Sequence, residues 1–233
     1  ANLDDPATTN QAMTPEIPRL IVCGTDTNVG KTVVSALLVQ GLGATYWKPV
    51  QSGLEGGSDR EWLCRLLNLP SERWIPEVYR FQAAVSPHWA AEQENCCIDS
   101  DQLDLPAVSS PLVVETAGGL MVPLNRQWLQ LQQLQRWQLP VILVARSGLG
   151  TINHTLLSLE ALRLRKLSVL GLILNGEIHP DNPETLEQFS GVPVIAQLPH
   201  LTNLTATALA EQWHLQDLNL NLKRLLKNWS EHQ

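Results

Sequence analysis

The stretch GTDTNVGKT, Gly24 to Thr32, ends in the Gly-Lys-Thr triplet of a phosphate-binding loop. The usual spacing G-x-x-x-x-G-K-[ST] would place the first glycine at position 25, where this chain has Thr25. Gly30, Lys31 and Thr32 lead into a helix-like segment, so backbone N–H groups would face a phosphate there. The lysine could reach the β- and γ-phosphates and the threonine hydroxyl could bind Mg²⁺. The pattern predicts nucleotide binding; the alternative is a surface turn.

The same loop carries polar side chains at Thr25, Asp26 and Thr27, where most nucleotide hydrolases have small residues. Polar groups at these positions could bind a molecule that lies beside the terminal phosphate. We therefore expect a second substrate at this loop, and not a hydrolytic water alone.

Three charged residues stand where predicted strands or helices begin or end. Lys48 ends the strand-like segment ATYWKPV, and a lysine on a buried strand is costly unless it meets an anion. We interpret it as a fixed cation beside the phosphates, the alternative being a lysine that extends into solvent. Asp59 opens a helix-like segment and is either its N-cap, a metal ligand or both. Glu115 follows an apolar run and predicts a Mg²⁺ ligand, the alternative being a solvated carboxylate.

Polar and glycine-rich loops follow the remaining strands, and ligands of parallel sheets bind at the carboxyl ends of the strands. Gly118 would let the backbone pass close to the phosphates. Gly150 and the segment 151–153 open a helix, whose free N–H groups suit a carboxylate. The segment LNGE lacks the Asn-Lys-x-Asp pattern that reads guanine, whereas the amide of Asn175 could pair with adenine. The sequence therefore favours ATP over GTP.

Short apolar segments alternate with longer helix-like segments from Arg19 onward. This alternation predicts an α/β fold of the P-loop NTPase type, with a mainly parallel β-sheet flanked by helices on both faces. We expect helices over GKTVVSALLVQGLG, ending at Gly41 and Gly43, over SDREWLCRLLNLP, and over NRQWLQLQQLQRW with Asn125 as its cap. The segments RLIVCGT, ATYWKPV, PLVVET, PVILVA, SVLGLILN and VPVIAQLP are the predicted strands.

The composition excludes several functional classes. The chain has 233 residues, a net charge of −7 and a pI near 5.3, which argue against a nucleic-acid surface. No apolar run approaches the roughly 20 residues needed to cross a bilayer. The four cysteines show no disulfide or zinc spacing, so we expect reduced thiols in a cytoplasmic protein. Residues 1–18 read as a disordered leader or a cloning remnant, and 19–233 as a single P-loop α/β domain.

Taken in order and spacing, these segments resemble the dethiobiotin synthetases. The resemblance covers about residues 20–199 and rests on GTDTNVGKT, YWKPVQSG, SDREWL, VVETAGGLMVPL, SGLGTINH and LILNG. It implies an ATP- and Mg²⁺-dependent ligase that closes a ureido ring on diaminopelargonic acid (7,8-diaminononanoate) and CO₂. A carbamate of the diamine would attack the γ-phosphate to give a carbamic–phosphoric anhydride. The second amine would then close the ring, yielding dethiobiotin, ADP and phosphate.

The resemblance also implies roles for residues of this chain. Lys31 and Lys48 would be the catalytic cations. The Mg²⁺ ligands would be Thr32, Asp59 and Glu115. The triphosphate would lie against Asn28, Val29, Gly30, Lys31, Thr32 and Val33, a second nucleotide contact would come from Glu115, Thr116, Ala117 and Gly118, and adenine would lie at Asn175 and Gly176. The diamine and carbamate would contact Thr27, Lys48 and Ser52.

The resemblance further implies a homodimer with its sites near the interface. The loop Gly150, Thr151, Ile152 and Asn153 would hold the substrate carboxylate of the partner. Two departures stand out, since Thr116 replaces a common glycine and Asn28 replaces an acidic residue. A partition or cell-division ATPase switch is the main alternative, but its extra lysine would fall at Asp26. A cobyrinic-acid-type amidotransferase would need a glutaminase domain, for which the chain has no room.

Overall fold

The computed structural model describes residues 17–232, so the predicted leader lies almost wholly outside the described residues. The strands are β1 (Arg19–Gly24), β2 (Thr45–Trp47), β3 (Val50–Ser52), β4 (Trp74–Ile75), β5 (Tyr79–Phe81), β6 (Leu112–Gly119), β7 (Pro123–Asn125), β8 (Trp128–Leu129), β9 (Val141–Arg146), β10 (Val169–Asn175) and β11 (Val194–Leu198). The α-helices are α1 (Lys31–Leu42), α2 (Asp59–Leu67), α3 (Pro87–Gln93), α4 (Gln130–Trp137), α5 (Thr151–Leu164), α6 (Asn182–Ser190), α7 (Ala206–Leu215) and α8 (Leu218–Ser230).

Seven of these strands form one parallel sheet in the order β11-β10-β9-β1-β6-β2-β4. The chain leaves β1 through α1 toward β2, and it leaves the neighbouring strand β6 through α4 toward β9, on the other side of β1. The connections of two adjacent strands thus diverge, which opens a crevice at their carboxyl ends. The predicted α/β fold with a parallel sheet is confirmed.

Helices cover both faces of the sheet, because side chains of the buried strands alternate between two cores. Leu20 and Val22 of β1 pack with α1, α2, α7 and α8 in one core. Ile21 and Cys23 pack with α3, α4, α5 and α6 in the other. Within the described part of the chain, no helix is long and apolar enough to traverse a lipid bilayer.

Three predicted boundaries are wrong. Asn125 does not cap a helix, because residues 123–129 form the β7–β8 hairpin and α4 begins only at Gln130. The predicted strand ATYWKPV ends at Trp47, and Val50–Ser52 pairs instead with β5 in a separate small sheet. Gly41 lies inside α1, where a Cβ would come 2.3 Å from the ring of Trp213; it is a packing glycine, and Gly43 in left-handed conformation ends the helix.

The start of α2 shows why Asp59 is available to the crevice. Ser58 is the N-cap: its hydroxyl accepts from the backbone N–H of Glu61, whose carboxylate accepts from the backbone N–H of Ser58. This reciprocal capping box satisfies two N–H groups that the helix leaves free. Asp59 is therefore the first residue of the helix and not its cap, and its side chain needs no capping role.

Candidate active site

The phosphate-binding loop joins β1 to α1 and leaves the start of the helix open. Gly30 is the N-cap with φ 100°, and it offers no side-chain hydrogen bond to the first turn. A Cβ at Gly30 would lie 1.8 Å from Nδ2 of Asn175, so both the backbone angle and the close approach require glycine. With no acidic residue in the first turn, the positive end of α1 faces the crevice and favours an anion.

The early glycine of the loop has a packing role. A Cβ at Gly24 would lie 2.8 Å from Cγ2 of Val29 and 3.1 Å from Cδ of Lys31. Thr25 still belongs to the sheet edge, because its N–H donates to the carbonyl of Val144 at 3.0 Å. The loop therefore turns after Thr25 and folds back over Gly24, which explains why the glycine precedes the standard position.

The side chain of Lys31 reaches back across this loop. Its ammonium donates to the carbonyl of Asp26 at 2.8 Å. Burial holds the pKa of Lys31 below its usual value, although the Glu115 carboxylate opposes that effect. A phosphate in the crevice would favour the charged form of this buried amine.

Four predicted side chains meet beside the carboxyl end of β2 and the middle of β6. The ammonium of Lys48 bonds to the Asp59 carboxylate and lies 3.2 Å from Oε1 of Glu115. The hydroxyl of Thr32 donates to the same Oε1 at 2.9 Å. Burial lowers the pKa of Lys48, but the carboxylates of Glu115 and Asp59 outweigh burial and raise the pKa above its usual value. Lys48 therefore stays charged at neutral pH, and it does not extend into solvent.

Glu115 has one more partner, which the sequence did not indicate as functional. The hydroxyl of Tyr46 donates to Oε2 of Glu115 at 2.9 Å, and both side chains are fully buried. Burial and the Glu115 charge raise the pKa of Tyr46 well above its usual value, so the phenol remains a donor. Tyr46 lies in β2 and Lys48 directly follows its last residue, so in the sequence the two stand two positions apart, the spacing at which residues of an extended segment share a face. That spacing was the available signal.

A pocket of about 850 Å³ lies over these residues. That volume is within the range of small-ligand pockets, about 300–1,000 Å³. Of the predicted site residues, its lining includes Thr27, Asn28, Gly30, Lys31, Thr32, Val33, Lys48, Ser52, Asp59, Glu115, Ala117, Gly118 and Asn175. Val29, Thr116 and Gly176 do not line it, since Val29 and Thr116 are buried beside it and Gly176 lies against Ser147.

The pocket also has a wall that sequence reasoning missed. Gln51 accepts from the backbone N–H of Asp59 at 3.1 Å and donates to the carbonyls of Ser52 and Gly53, which ties β3 to the start of α2. Trp62 of α2 and the segment 84–87 before α3 complete the wall. No local motif marks these residues, because only the tertiary fold brings them to the pocket.

The sequence also carries no signal for Arg146, the last residue of β9. Its side chain donates to the carbonyl of Thr27 at 3.1 Å.

Two polar groups at the pocket have properties that bear on ligand binding. The hydroxyl of Ser52 is buried and has no hydrogen-bond partner within residues 17–232. A polar ligand in the pocket could supply the hydrogen bond that such a buried group lacks. The amide nitrogen of Asn175 donates to the carbonyl of Val29 at 3.2 Å, which leaves its oxygen as an acceptor. Asn175 thus holds the phosphate-binding loop from β10.

The loop Gly150 to Asn153 lies apart from this pocket. None of these four residues belongs to the pocket lining, and Gly150, at φ 94°, is the N-cap of α5 without a side-chain hydrogen bond. Leu149 before it is fully exposed. The loop therefore presents an uncapped helix start away from the pocket of its own chain.

The oxygen atoms at the pocket fit a magnesium ion that is shared with a nucleotide. Among residues 17–232, no three His, Cys, Asp or Glu side chains come together as a metal cluster. The crevice instead offers two carboxylates and a hydroxyl, from Asp59, Glu115 and Thr32. Mg²⁺ prefers such sparse oxygen ligands, with phosphates and water completing its shell.

The fold and the pocket define a P-loop nucleotide-binding protein. Residues 18–208 match the family described as an AAA domain. In structure the chain is similar to the crystal structure of a ParA family ATPase from Chlorobium tepidum TLS, with 12% identity, a TM-score of 0.53, and 85% of this chain and 98% of that chain covered. This likeness shows the fold alone.

The sequence identifies the family more narrowly. The chain is 48% identical over 192 residues to the ATP-dependent dethiobiotin synthetase BioD of Rhodopseudomonas palustris (strain BisA53), with 82% of this chain and 90% of the relative covered. It is 47% identical over 201 residues to the enzyme of the same name from Brucella anthropi, with 86% and 95% covered. The chain belongs to the dethiobiotin synthetase family, whose members are ATP-dependent ligases, and the predicted family is confirmed.

Proposed function

We propose that this chain catalyses the family reaction, in which 7,8-diaminononanoate, CO₂ and ATP give dethiobiotin, ADP and phosphate. The observation that carries the proposal is the meeting of Lys48, Asp59, Glu115 and Thr32 beside the Gly30–Lys31 loop in one pocket. A nucleotide-binding loop alone would fit any hydrolase. A buried lysine opposite that loop supplies a second cation, which suits a negatively charged second substrate.

The two lysines have separate tasks in this proposal. Lys31 is the first residue of α1, whose start has no side-chain cap, and it would hold the β- and γ-phosphates together with the backbone of residues 28–33. Lys48 would hold the carbamate oxygen close to the γ-phosphate and stabilise the charge that develops during phosphoryl transfer. The second amine then attacks the carbamic carbon and expels phosphate. Thr27 and Ser52, both at the pocket, would contact the diamine and carbamate.

Thr32, Asp59 and Glu115 would hold Mg²⁺. When bound, the ion neutralises charge on the β- and γ-phosphates. The chain itself shields the Glu115 carboxylate from water and holds it in one position, since the residue is fully buried and both its oxygens accept hydrogen bonds. Gln51 fixes the start of α2 and so the position of Asp59.

The remaining assignments follow the same proposal. Adenine would lie at Asn175 and Gly176, whose strand ends beside the loop, and Ala117 and Gly118 would contact the nucleotide from β6. The enzyme would be a cytoplasmic homodimer, in which the Gly150–Asn153 loop holds the substrate carboxylate of the partner subunit. The position of that loop outside its own pocket supports a role in another subunit.

The test is a reaction with ATP, MgCl₂, bicarbonate and 7,8-diaminononanoate, analysed for dethiobiotin by mass spectrometry and for phosphate. We expect phosphate release that requires the diamine and matches dethiobiotin one for one. The control omits the diamine. Phosphate release at the same rate without the diamine would refute the ligase and favour an ATPase switch.

A further inference from the structure

The two oxygens of Glu115 have different partners, and this division is set by a residue outside the pocket lining. Oε1 accepts from Thr32 at 2.9 Å and from Lys48 at 3.2 Å, both of which line the pocket. Oε2 accepts from the hydroxyl of Tyr46 at 2.9 Å, and Tyr46 does not line the pocket. One oxygen therefore faces the nucleotide side and the other faces the protein interior.

Tyr46 is held more rigidly than a surface donor would be. Its strand β2 lies between β4 and β6, where Tyr46 pairs with Trp74 on one side and Val113 on the other. Its ring is fully buried in the core that α1 and α2 share with the sheet. A phenol in such a position has few accessible rotamers, so its hydroxyl fixes the direction of the carboxylate that it contacts.

The consequence concerns the direction of Glu115. A carboxylate can rotate about its last side-chain bond; a half-turn only exchanges two equivalent oxygens, but any smaller rotation moves both oxygens away from their partners. The Tyr46 hydroxyl favours one plane of the carboxylate, because a rotation out of that plane would cost the buried Oε2 the one donor that it has among residues 17–232. The other oxygen, Oε1, then points at Thr32.

We propose that Tyr46 is a positioning residue that fixes the carboxylate of Glu115, and that it thereby sets the affinity of the nucleotide-bound site for Mg²⁺. The proposal rests on the proposed function, in which Thr32 and Glu115 hold the ion. Partners that orient metal ligands affect metal affinity by about 10- to 100-fold. The opposing interpretation is that the phenol only satisfies a buried carboxylate and has no effect on the ion.

The experiment compares ADP binding with Mg²⁺ and with EDTA by calorimetry. The ratio of the two dissociation constants measures how much the ion tightens nucleotide binding, and it does not depend on turnover. In Tyr46→Phe we expect this ratio to fall by about tenfold, while ADP affinity in EDTA stays at the wild-type value. The matched control is Thr45→Val, which removes another buried hydroxyl from β2, one bonded to Ser110 at 2.7 Å and not to Glu115.

Each outcome has a defined meaning. A ratio in Tyr46→Phe within twofold of the wild type would refute the positioning role, and so would an equal loss in Thr45→Val, because the effect would then belong to the strand as a whole. A wild-type ratio of one would refute the proposed metal site itself. Dethiobiotin formation by the wild type, which tests the proposed function, is measured separately.

A second measurement keeps the phenol in place. The chain has two tyrosines, so 3-fluorotyrosine incorporated into Tyr79→Phe labels Tyr46 alone. Because an ion at Glu115 would weaken the hydrogen bond from the phenol, we expect the ¹⁹F resonance to differ between ADP with Mg²⁺ and ADP with EDTA. Identical resonances under the two conditions would overturn the proposal, whatever the stability of Tyr46→Phe.

Discussion

Lys48 combines a structural and a chemical task in one side chain. Its ammonium separates the carboxylates of Asp59 and Glu115, of which Glu115 has no access to water. Without that charge, two carboxylates would face each other across a partly dry crevice, and like charges at such a distance disfavour ionisation. The lysine that we assign to the substrate therefore also keeps the crevice folded.

Replacing Lys48 should affect activity and stability together. Lys48→Met should lower the rate of dethiobiotin formation by at least about 100-fold, because a fixed cation at the developing charge is lost. It should lower the free energy of unfolding by up to about 3 kcal/mol, the lower end for a broken buried pair, since Asp59 keeps 35% of its side chain in solvent. Urea unfolding and mass spectrometry measure the two effects.

The control is Lys223→Met on α8, whose side chain is exposed. It should change the free energy of unfolding by less than about 0.5 kcal/mol and leave the rate unaltered. If Lys48→Met kept wild-type turnover, Lys48 would have no part in the reaction, even if the protein were less stable.

The four cysteines should differ sharply in reactivity. Cys23 is fully buried in β1, and burial raises its pKa to about 12, whereas Cys97 is exposed. At pH 8 we expect a disulfide reagent to modify Cys97 within minutes and to leave Cys23 untouched until urea is added. Mass spectrometry of peptides locates the label, and Cys97→Ser should remove the fast phase. Rapid labelling of Cys23 in the folded protein would contradict this.

The raised pKa of Cys23 also makes the free energy of unfolding depend on pH. The folded state keeps this proton above the pH at which the unfolded chain releases it. The stabilisation is therefore complete below about pH 8.5, the ordinary pKa of a thiol, and is lost as the pH rises toward 12. Cys23→Ala should flatten that part of the stability profile.

Most elements were predictable because their signals are local. Short apolar runs mark the buried strands, and helical spacing marks α1, with Gly43 as its stop signal, and α2, with Ser58 as its cap. The β7–β8 hairpin was not predictable in this way, because its residues continue the helical spacing of α4 and its turn carries no glycine. Strands β4 and β5 span two and three residues, too short for any period to show.

The residues of the candidate site also differ in whether a local sequence signal marks them. Lys31, Lys48 and Glu115 could be found because strand ends meet at one edge of a parallel sheet. Gln51, Trp62 and Arg146 could not, since what brings them to the loop is the packing of distant elements. Tyr46 falls between the two cases: its shared face with Lys48 is local, but its partner Glu115 is 69 residues away.

Gly41 gives a prediction for helix α1. Alanine is favoured over glycine in helix interiors by about 1 kcal/mol. At this position, however, a Cβ would meet the buried ring of Trp213 at 2.3 Å, and overpacking costs about 1–3 kcal/mol. Gly41→Ala should therefore destabilise the protein in thermal unfolding. In a Trp213→Leu background, the same change should be neutral or stabilising; stabilisation in the wild type would refute the contact.

A single chain does not bring all of the predicted site residues to its own pocket. The Gly150–Asn153 loop starts a helix that carries no side-chain cap, yet it lies outside the pocket of its chain. A carboxylate would be stabilised at such a helix start. If the loop serves the partner subunit, each site needs Lys48 from one subunit and Asn153 from the other.

Mixing two defective variants tests this arrangement. Lys48→Met removes the cation of the pocket, and under the proposed function Asn153→Asp would place a like charge against the substrate carboxylate, so each variant alone should be inactive. After subunit exchange, a mixed dimer would have one site with both defects and one with neither. Random exchange should then restore about a quarter of the wild-type rate.

The double variant Lys48→Met/Asn153→Asp mixed with Lys48→Met is the control and should stay inactive, because no pocket in that mixture retains Lys48. If the first mixture also stayed inactive after exchange, the loop would act within its own subunit. Full activity of Asn153→Asp alone would remove the loop from substrate binding altogether. Recovery of activity would show that the Gly150–Asn153 loop of one subunit completes the pocket of the other subunit.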